Sequence, residues 1–182
     1  MGALEKPLPR YTVQDYQRWK GDWELIEGIP YALAPSPFGI HQRVSLSLAR
    51  LIEEQLEECP KRCYAYQELD WIIDEHTVVR PDLIVVCKRI EKHLKTTPSV
   101  VFEIVSQSTA FKDEEVKFKL YEREGVSYYA LVYPDLRKMR VFLLKVSKFE
   151  KVFDGEEESF VFQTECPFEV NLKELWKKVW RE

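Results

Sequence analysis

The 182-residue sequence is poor in the side chains that most often build zinc sites, with only four cysteines and three histidines. Cys59 and Cys63 lie close together, but Cys87 and Cys166 form no second close pair, and the histidines are far apart along the chain. Structural zinc sites usually combine two close pairs of ligands. The spacing therefore predicts buried, reduced thiols rather than a zinc site.

Long apolar runs are also absent. No stretch approaches the ~20 apolar residues that a membrane-spanning helix needs, and the segment Met1–Lys6 does not have the apolar core of a secretory signal. We therefore expect a cytoplasmic protein with no membrane partner. The net charge of −4 argues against nucleic-acid binding through a basic charge spread over the whole surface, but it leaves room for a local basic groove.

Glycine is scarce, with six residues, and the chain contains no repeats or low-complexity tracts. These features predict one compact domain over residues 1–182. The apolar pattern and the turn residues predict the following elements: a helix over 13–19, a hairpin over 23–34 turning at Gly28, a break at Pro35–Pro37, helices over 40–58, 112–124 and 172–179, and strands over 63–73, 83–86, 100–105, 127–133, 139–145, 149–153 and 159–163. This order predicts an α/β fold with a mixed central β-sheet flanked by helices, preceded by an N-terminal helix and hairpin.

One acidic residue, Glu103, stands in the middle of the apolar strand Pro98–Ser106. The alternation of a strand places it on the same face as Val101 and Val105. A carboxylate on such a face is costly to bury unless a metal, a cation or a shared proton compensates it. The alternatives are an internal pair with an arginine or lysine, or a face that is open to solvent.

Two further charged residues fit the same site. Asp82 follows Pro81 and opens the apolar strand Leu83–Val86, although an aspartate there can also belong simply to a turn. Lys117 falls within the apolar arc of the predicted helix 112–124. It could instead extend its ammonium group to water, or pair with Asp113 four residues earlier.

Two strand carboxylates and a lysine are the minimum set for metal-assisted hydrolysis of a phosphodiester. Mg²⁺ prefers oxygen ligands, so Asp82 and Glu103 are the right type, and the carbonyl of Ile104 is a natural additional ligand. The ion lowers the pKa of a bound water and offsets charge in the transition state. Lys117 can orient or deprotonate that water.

A series of short motifs resembles one known family. The motifs are Glu24-Leu-Ile-Glu-Gly28, Pro35-Ser-Pro37 followed by His41, Arg80-Pro81-Asp82, Glu103-Ile104-Val105-Ser106, Ser108-Thr109, Asp113, Lys117, Tyr121, Gly125-Val126 and Tyr128-Tyr129. Together they are similar to the Uma-type putative restriction endonuclease family, which belongs to the PD-(D/E)XK nuclease superfamily. The resemblance runs from about Glu24 to Pro134.

The resemblance implies a restriction endonuclease-like fold in which Asp82 and Glu103 bind Mg²⁺, with Mn²⁺ as a possible substitute. The superfamily usually places its lysine two positions after the second acid, where this chain has Val105; Lys117 on the following helix fits the place to which the family moves it. Glu24 matches an amino-terminal acid of the family, which implies an accessory ligand. His41 matches a family histidine near the phosphate, although a surface position at a helix start is an equal alternative.

We therefore predict a magnesium-dependent endonuclease that hydrolyses DNA phosphodiester bonds. A homodimer is expected, because cutting both strands of a duplex needs two sites. One alternative is a catalytically silent protein of the same fold that binds nucleic acid or regulates a partner. The other is a structural protein in which Glu103 and Lys117 form a buried ion pair.

Overall fold

A computed structural model describes residues 8–33 and 38–181 of the chain. The predicted break at Pro35–Pro37 and the segment Met1–Lys6 lie outside the described residues. The first described helix begins after Thr12, whose side chain accepts a hydrogen bond from the backbone of Asp15 while the Asp15 carboxylate accepts one from the backbone of Thr12. This reciprocal cap is what a threonine followed three residues later by an acid favours.

The regular elements follow in chain order. They are α1 (Val13–Tyr16), β1 (Trp23–Ile26), β2 (Ile29–Ala32), α2 (Gly39–Leu56), β3 (Tyr64–Gln67), β4 (Trp71–Asp74), β5 (Thr77–Val79), β6 (Leu83–Val86), β7 (Val100–Ile104), a π-helix (Lys112–Val116), α3 (Lys117–Arg123), β8 (Tyr128–Tyr133), a 3₁₀ turn (Pro134–Leu136), β9 (Lys138–Lys145), β10 (Lys148–Gly155), β11 (Ser159–Phe162), β12 (Phe168–Asn171) and α4 (Leu172–Trp180). Within the described ranges, no helix is both long and apolar enough to cross a bilayer.

A mixed six-stranded sheet forms the centre of the fold, in the order β10-β9-β8-β7-β6-β3. Strands β7 and β8 are parallel, and the other neighbours are antiparallel. The parallel pair needs a crossover connection, which the π-helix and α3 provide. The predicted α/β class with a mixed central sheet is confirmed.

The two faces of strand β7 belong to different hydrophobic cores. Val100, Phe102 and Ile104 pack in a core that also contains residues of α2 and α4. Val101 packs in the other core, together with residues of α3 and of the smaller sheet described below. The predicted alternation is therefore correct, and it directs Glu103 to the side of the sheet that α3 covers.

A second, four-stranded sheet has the order β2-β1-β5-β4. It contains the predicted hairpin, in which Gly28 adopts a φ of +83° at the turn, a conformation that glycine tolerates better than other residues. The single strand predicted over 63–73 is wrong in extent, because the chain leaves the central sheet at Glu68, with φ +50°, and re-enters this second sheet as β4. Strand β5 was not predicted; its pairing with β1 places Arg80 next to Glu24.

The helix predicted over 112–124 has two parts. Its first five residues form a π-helix, in which the backbone N–H of Lys117 donates to the carbonyl of Lys112, and the α-helical α3 follows. Apolar periodicity does not distinguish a π-helical turn from an α-helical turn, because a single wider turn shifts the following apolar residues around the helix axis but leaves them on a common face. The chain also contains the unpredicted strand β12, which pairs with β11 in a two-stranded sheet.

The prediction of reduced thiols is wrong for this structure, which contains the disulfides Cys59–Cys166 and Cys63–Cys87. Their sequence separations are 107 and 24 residues. Strand pairing explains the second bond, because β3 and β6 pair through Tyr64 and Val86, so the next position outward joins the two cysteines. Spacing along the chain could not reveal contacts made by the tertiary fold.

Candidate active site

Asp82 and Glu103 are neighbours because of the register between β6 and β7. The antiparallel pair aligns Leu83 with Phe102, so the next position outward sets Asp82 opposite Glu103. The Asp82 carboxylate Oδ2 accepts a 2.6 Å hydrogen bond from the backbone nitrogen of Ile104, and the Asp82 nitrogen lies 3.4 Å from Oε2 of Glu103. The two carboxylates thus meet on neighbouring inner strands of the central sheet, where β6 begins and β7 ends.

Glu103 is almost completely buried, with 2% of its surface exposed. Its Oε1 accepts hydrogen bonds from Lys117 Nζ and from the Tyr121 hydroxyl, each at 2.8 Å. Burial, together with the charges of Asp82 and Asp113, raises the pKa of Glu103 above its ordinary value, although Lys117 opposes the shift. The neighbouring acids therefore disfavour the charged form of Glu103, and a bound cation would offset this repulsion.

Lys117 is also buried, with 2% exposure, and its ammonium group lies between two carboxylates. Nζ is 2.8 Å from Glu103 Oε1 and 2.7 Å from Glu24 Oε1. Burial lowers the pKa of Lys117, but Glu103 and Glu24 outweigh it, so the pKa lies well above its usual range. The alternative of a lysine that reaches out to water is wrong.

Glu24 is fully buried on β1 and holds two lysines at once. Lys112 Nζ lies 2.7 Å from its Oε2, and Lys117 Nζ and the backbone nitrogen of Arg80 approach its Oε1. Burial raises the pKa of Glu24, but the two ammonium groups outweigh it and lower the pKa below its ordinary value. Both oxygens of this carboxylate therefore have cationic partners, and the residue fixes the position of Lys117.

His41, in the first turn of α2, lies beside Asp82. Its Nε2 is 3.1 Å from Asp82 Oδ1. Burial lowers the pKa of His41, but the hydrogen bond and charge of Asp82 outweigh it, so the pKa is raised. The other ring nitrogen, Nδ1, is buried and has no hydrogen-bond partner among residues 8–33 and 38–181. A buried polar atom without a partner is unusual, and here it lies beside the two carboxylates. The surface-histidine alternative is therefore wrong.

The donor set fits a divalent cation on charge as well as on chemistry. Four acidic residues interact electrostatically here, namely Glu24, Asp82, Glu103 and Asp113, and two lysines, 112 and 117, face them. With all four acids ionised, four negative and two positive charges leave an excess of two negative charges, and protonation of His41 reduces the excess to one. Burial is the main cause that raises the pKa of Asp113 to about 6; Asp82 adds to the shift, and Lys117 and Lys112 oppose it. Mg²⁺ and Mn²⁺ supply two positive charges and prefer carboxylate oxygen.

The structure thus brings together every site residue that the sequence singled out: Asp82, Glu103, Ile104, Lys117, Glu24 and His41. The backbone of Ile104 is in contact with Asp82, although through its nitrogen. Sequence reasoning did not assign a role to Lys112, and Tyr121 appeared only within a motif. The five-residue spacing of the two lysines places them on one face only if the turn between them is a π-turn, and the apolar pattern does not indicate one.

Two cavities among the described residues lie away from the carboxylates. One, of about 340 Å³, is lined by Tyr11, Trp19, Lys20, Trp23 and Pro30. The other, of about 390 Å³, lies near His76 and Arg123. Neither is lined by Asp82 or Glu103.

Comparisons with known proteins identify the fold and the family. No curated protein matches the chain. Among solved structures, the fold is similar to that of a putative nuclease belonging to DUF820 from Anabaena variabilis ATCC 29413, with a TM-score of 0.75 and 18% sequence identity over 92% of this chain and 98% of that chain. This likeness confirms the predicted fold. Residues 13–169 match the Uma2 family, described as "Putative restriction endonuclease", and the chain belongs to that family.

Proposed function

We propose that the protein is a magnesium-dependent endonuclease that hydrolyses phosphodiester bonds in DNA. The observation that carries the proposal is the convergence of Asp82, Glu103 and Lys117, which are separated along the chain but joined through hydrogen bonds where β6 begins and β7 ends. The description of the family and the name of the structural relative support a nuclease. The chain acts in this proposal as a single domain, as a homodimer and in the cytoplasm.

Asp82, Glu103 and the carbonyl of Ile104 are the groups that would hold Mg²⁺, or Mn²⁺ in its place. Glu103 Oε2 is the least engaged carboxylate oxygen, since its contact with the Asp82 nitrogen is the longest of the set. When bound, the ion lowers the pKa of a coordinated water and neutralises charge that develops on the phosphate.

Lys117 positions the attacking water in this proposal. Its ammonium group keeps its proton, because two carboxylates hold its pKa high, so it acts as a hydrogen-bond donor and a fixed positive charge rather than as a base. A preorganised charge in a buried site stabilises a developing anion more than the same charge in water does. Glu24 and Lys112 support this role by preventing rotation of the Lys117 side chain.

His41 is placed to bind the phosphate. Asp82 accepts from Nε2 and raises the pKa of the ring, so the protonated form gains stability. In that form Nδ1–H is a donor without a partner in the part of the chain that the structure describes. A phosphate oxygen would satisfy it, which gives His41 a binding role separate from metal coordination.

The test is cleavage of mixed DNA substrates with Mg²⁺, with Mn²⁺ and with a chelator. We expect cleavage only with metal, and loss of cleavage in Asp82→Asn, Glu103→Gln and Lys117→Met. Calorimetric titration should show that Asp82→Asn also loses metal binding. Glu115→Gln, an exposed residue on the same helical segment, is the matched control and should cleave normally. Metal-independent cleavage, or full activity of Asp82→Asn, would contradict the proposal.

A second candidate is a nucleic-acid-binding or regulatory protein without catalysis. The observation in its favour is that all four oxygens of Asp82 and Glu103 already contact protein donors. A protein of this kind retards DNA in a gel but leaves it intact at every metal concentration. The same assay therefore separates the two functions.

A further inference from the structure

All four cysteines of the chain converge at one place, far from the carboxylates. Cys59 follows the end of α2, Cys63 precedes β3, Cys87 follows β6 and Cys166 precedes β12. The Sγ atoms of Cys63, Cys87 and Cys166 all lie within 4.8 Å of one another. The fourth sulfur, of Cys59, is bonded to that of Cys166.

We infer that these four cysteines form a zinc site when they are reduced. A tetrahedral zinc ion bound by four thiolates has Zn–S distances of about 2.3 Å, which place the sulfurs about 3.8 Å apart. In the disulfide-bonded form the sulfurs of Cys63, Cys87 and Cys166 lie within 4.8 Å of one another, and that of Cys59 is bonded to Cys166, so reduction leaves four thiols close enough to share one ion. Cys59 and Cys63, with three residues between them, have the separation found in zinc ligand pairs.

The surroundings of the cluster suit a structural metal site. Cys63 and Cys166 are 3% and 1% exposed and belong to the main hydrophobic core, with Cys59 and Cys87 at its margin. Four thiolates around Zn²⁺ have a net charge of −2; Lys61, Arg62 and Lys88 lie close to the cysteines in sequence, and so do the acids Glu58 and Glu165, the second of which pairs with Lys61. A site closed by four protein ligands has a structural role rather than a catalytic one.

The position of the cluster suggests what such a site would do. Helix α2 begins beside His41 and ends before Cys59, while strand β6 begins after Asp82 and ends before Cys87. Both elements therefore carry an active-site residue at one end and a cysteine just beyond the other. A metal bound by the four sulfurs would fix these two elements relative to each other, and so fix the contact between His41 and Asp82.

Zinc binding by the four sulfurs requires only a reductant, water and the ion. A water-soluble trialkylphosphine reduces each disulfide to two thiols, and water supplies the two hydrogens and the oxygen that the phosphine takes up. The four thiols then release their protons as the sulfurs bind Zn²⁺. The oxidised chain has its sulfurs bonded to one another and cannot bind the ion in this way, so it is the matched control for the reduced chain.

The test is titration of the full reduced chain with Co²⁺ in the absence of oxygen, followed by Zn²⁺. We expect thiolate-to-cobalt charge-transfer absorption and tetrahedral visible bands that saturate at about one cobalt per chain and disappear when zinc is added. The oxidised chain should show none of these bands. Absence of the bands in the reduced, folded chain would overturn the inference, and this titration needs no variant.

Two variants test individual ligands, and a third serves as a control. Cys87→Ser and Cys166→Ser should each weaken cobalt binding by more than about tenfold, and unchanged binding in either variant would contradict the four-sulfur site. Asp82→Asn removes a proposed magnesium ligand but no sulfur, so its thiolate bands should persist. Because thiolate absorption does not depend on cleavage of DNA, failure of this inference is distinguishable from failure of the proposed function.

Discussion

Lys112 and Lys117 lie one π-turn apart, and their ammonium groups bind the two oxygens of the same buried carboxylate, that of Glu24. In an α-helix, residues five apart point in directions that differ by about 140°. The wider π-turn brings them onto one face, and such single turns occur frequently at functional sites. The π-helix is therefore what delivers Lys117 to Glu103 while Lys112 stays on Glu24.

Deletion of Glu115 tests whether the π-turn is needed for anything beyond aligning the two lysines. Removing one exposed residue converts the π-turn into an α-helical turn and leaves Lys112 and Lys117 four residues apart, which is an angle of about 40° and the same face of the helix. We therefore expect both lysines to keep their contacts with Glu24 and cleavage to persist, with the circular dichroism spectrum little changed. Glu115→Ala keeps the chain length and is the control. Loss of cleavage in the deletion variant but not in Glu115→Ala would show that an α-helical turn cannot replace the π-turn.

The sequence was sufficient to predict the carboxylates, because Glu103 interrupts an apolar strand and Asp82 opens another. The sequence also indicated that Lys117 faces the interior, because a lysine within the apolar arc of a helix is unusual. It could not predict which acids hold that lysine, since Glu24 reaches it only through the pairing of β1 with β5 and through the turn of the π-helix. The alternative of a local pair with Asp113 looked equally good by spacing alone.

The buried position of Lys117 makes it important for stability as well as for activity. Lys117→Met leaves Glu24 and Glu103 without a shared cation, and loss of one partner of a buried ion pair typically costs about 3–5 kcal/mol. Urea unfolding of the metal-free protein should show this loss. Lys119→Met, two residues along the same helix but exposed, is the control and should change the free energy of unfolding by less than about 0.5 kcal/mol. Equal effects of the two substitutions would mean that the pair contributes little.

Tyr121 and Tyr129 are both fully buried, but only Tyr121 donates its hydroxyl hydrogen to Glu103; Tyr129 donates to the carbonyl of Asp113. Each substitution by phenylalanine should lower the free energy of unfolding, by about 1.5–3 kcal/mol for the charged acceptor and about 1 kcal/mol for the neutral one. Of the two, only Tyr121→Phe removes a hydrogen bond to a proposed metal ligand, so this variant should alter Mg²⁺ affinity, measured by calorimetry, more than Tyr129→Phe does. A change of similar size in Tyr129→Phe would contradict this assignment.

The cysteines show the limit of reasoning from spacing. Cys59 and Cys63 form a visible pair, but Cys87 and Cys166 reach them through the β3–β6 pairing and through the unpredicted strand β12. The strand prediction for 63–73 had the same weakness, because the positive φ of Glu68 divides it between two sheets. Both errors concern contacts between distant segments, which only the folded chain defines.

Asp113 provides a prediction on pH. Burial raises its pKa from 3.8 to about 6, so between these values the folded state keeps a proton that the unfolded state has lost. The contribution of Asp113 to the free energy of unfolding therefore falls as the pH rises from about 4 to about 6, by at most about 3 kcal/mol. Asp113→Asn removes this dependence, and the variant should gain stability relative to the wild type across the same interval.

The measurement is chemical unfolding of both proteins with a chelator present, at intervals from pH 4 to pH 8. The difference in free energy of unfolding should change most between pH 4 and pH 6 and then level off. Asp135→Asn, in the exposed 3₁₀ turn, tests whether loss of any carboxylate has this effect. A difference that is flat across the range, or one that favours the wild type more as the pH rises, would show that Asp113 is ionised at little cost. In that case the cluster would not have the excess negative charge that we attribute to it.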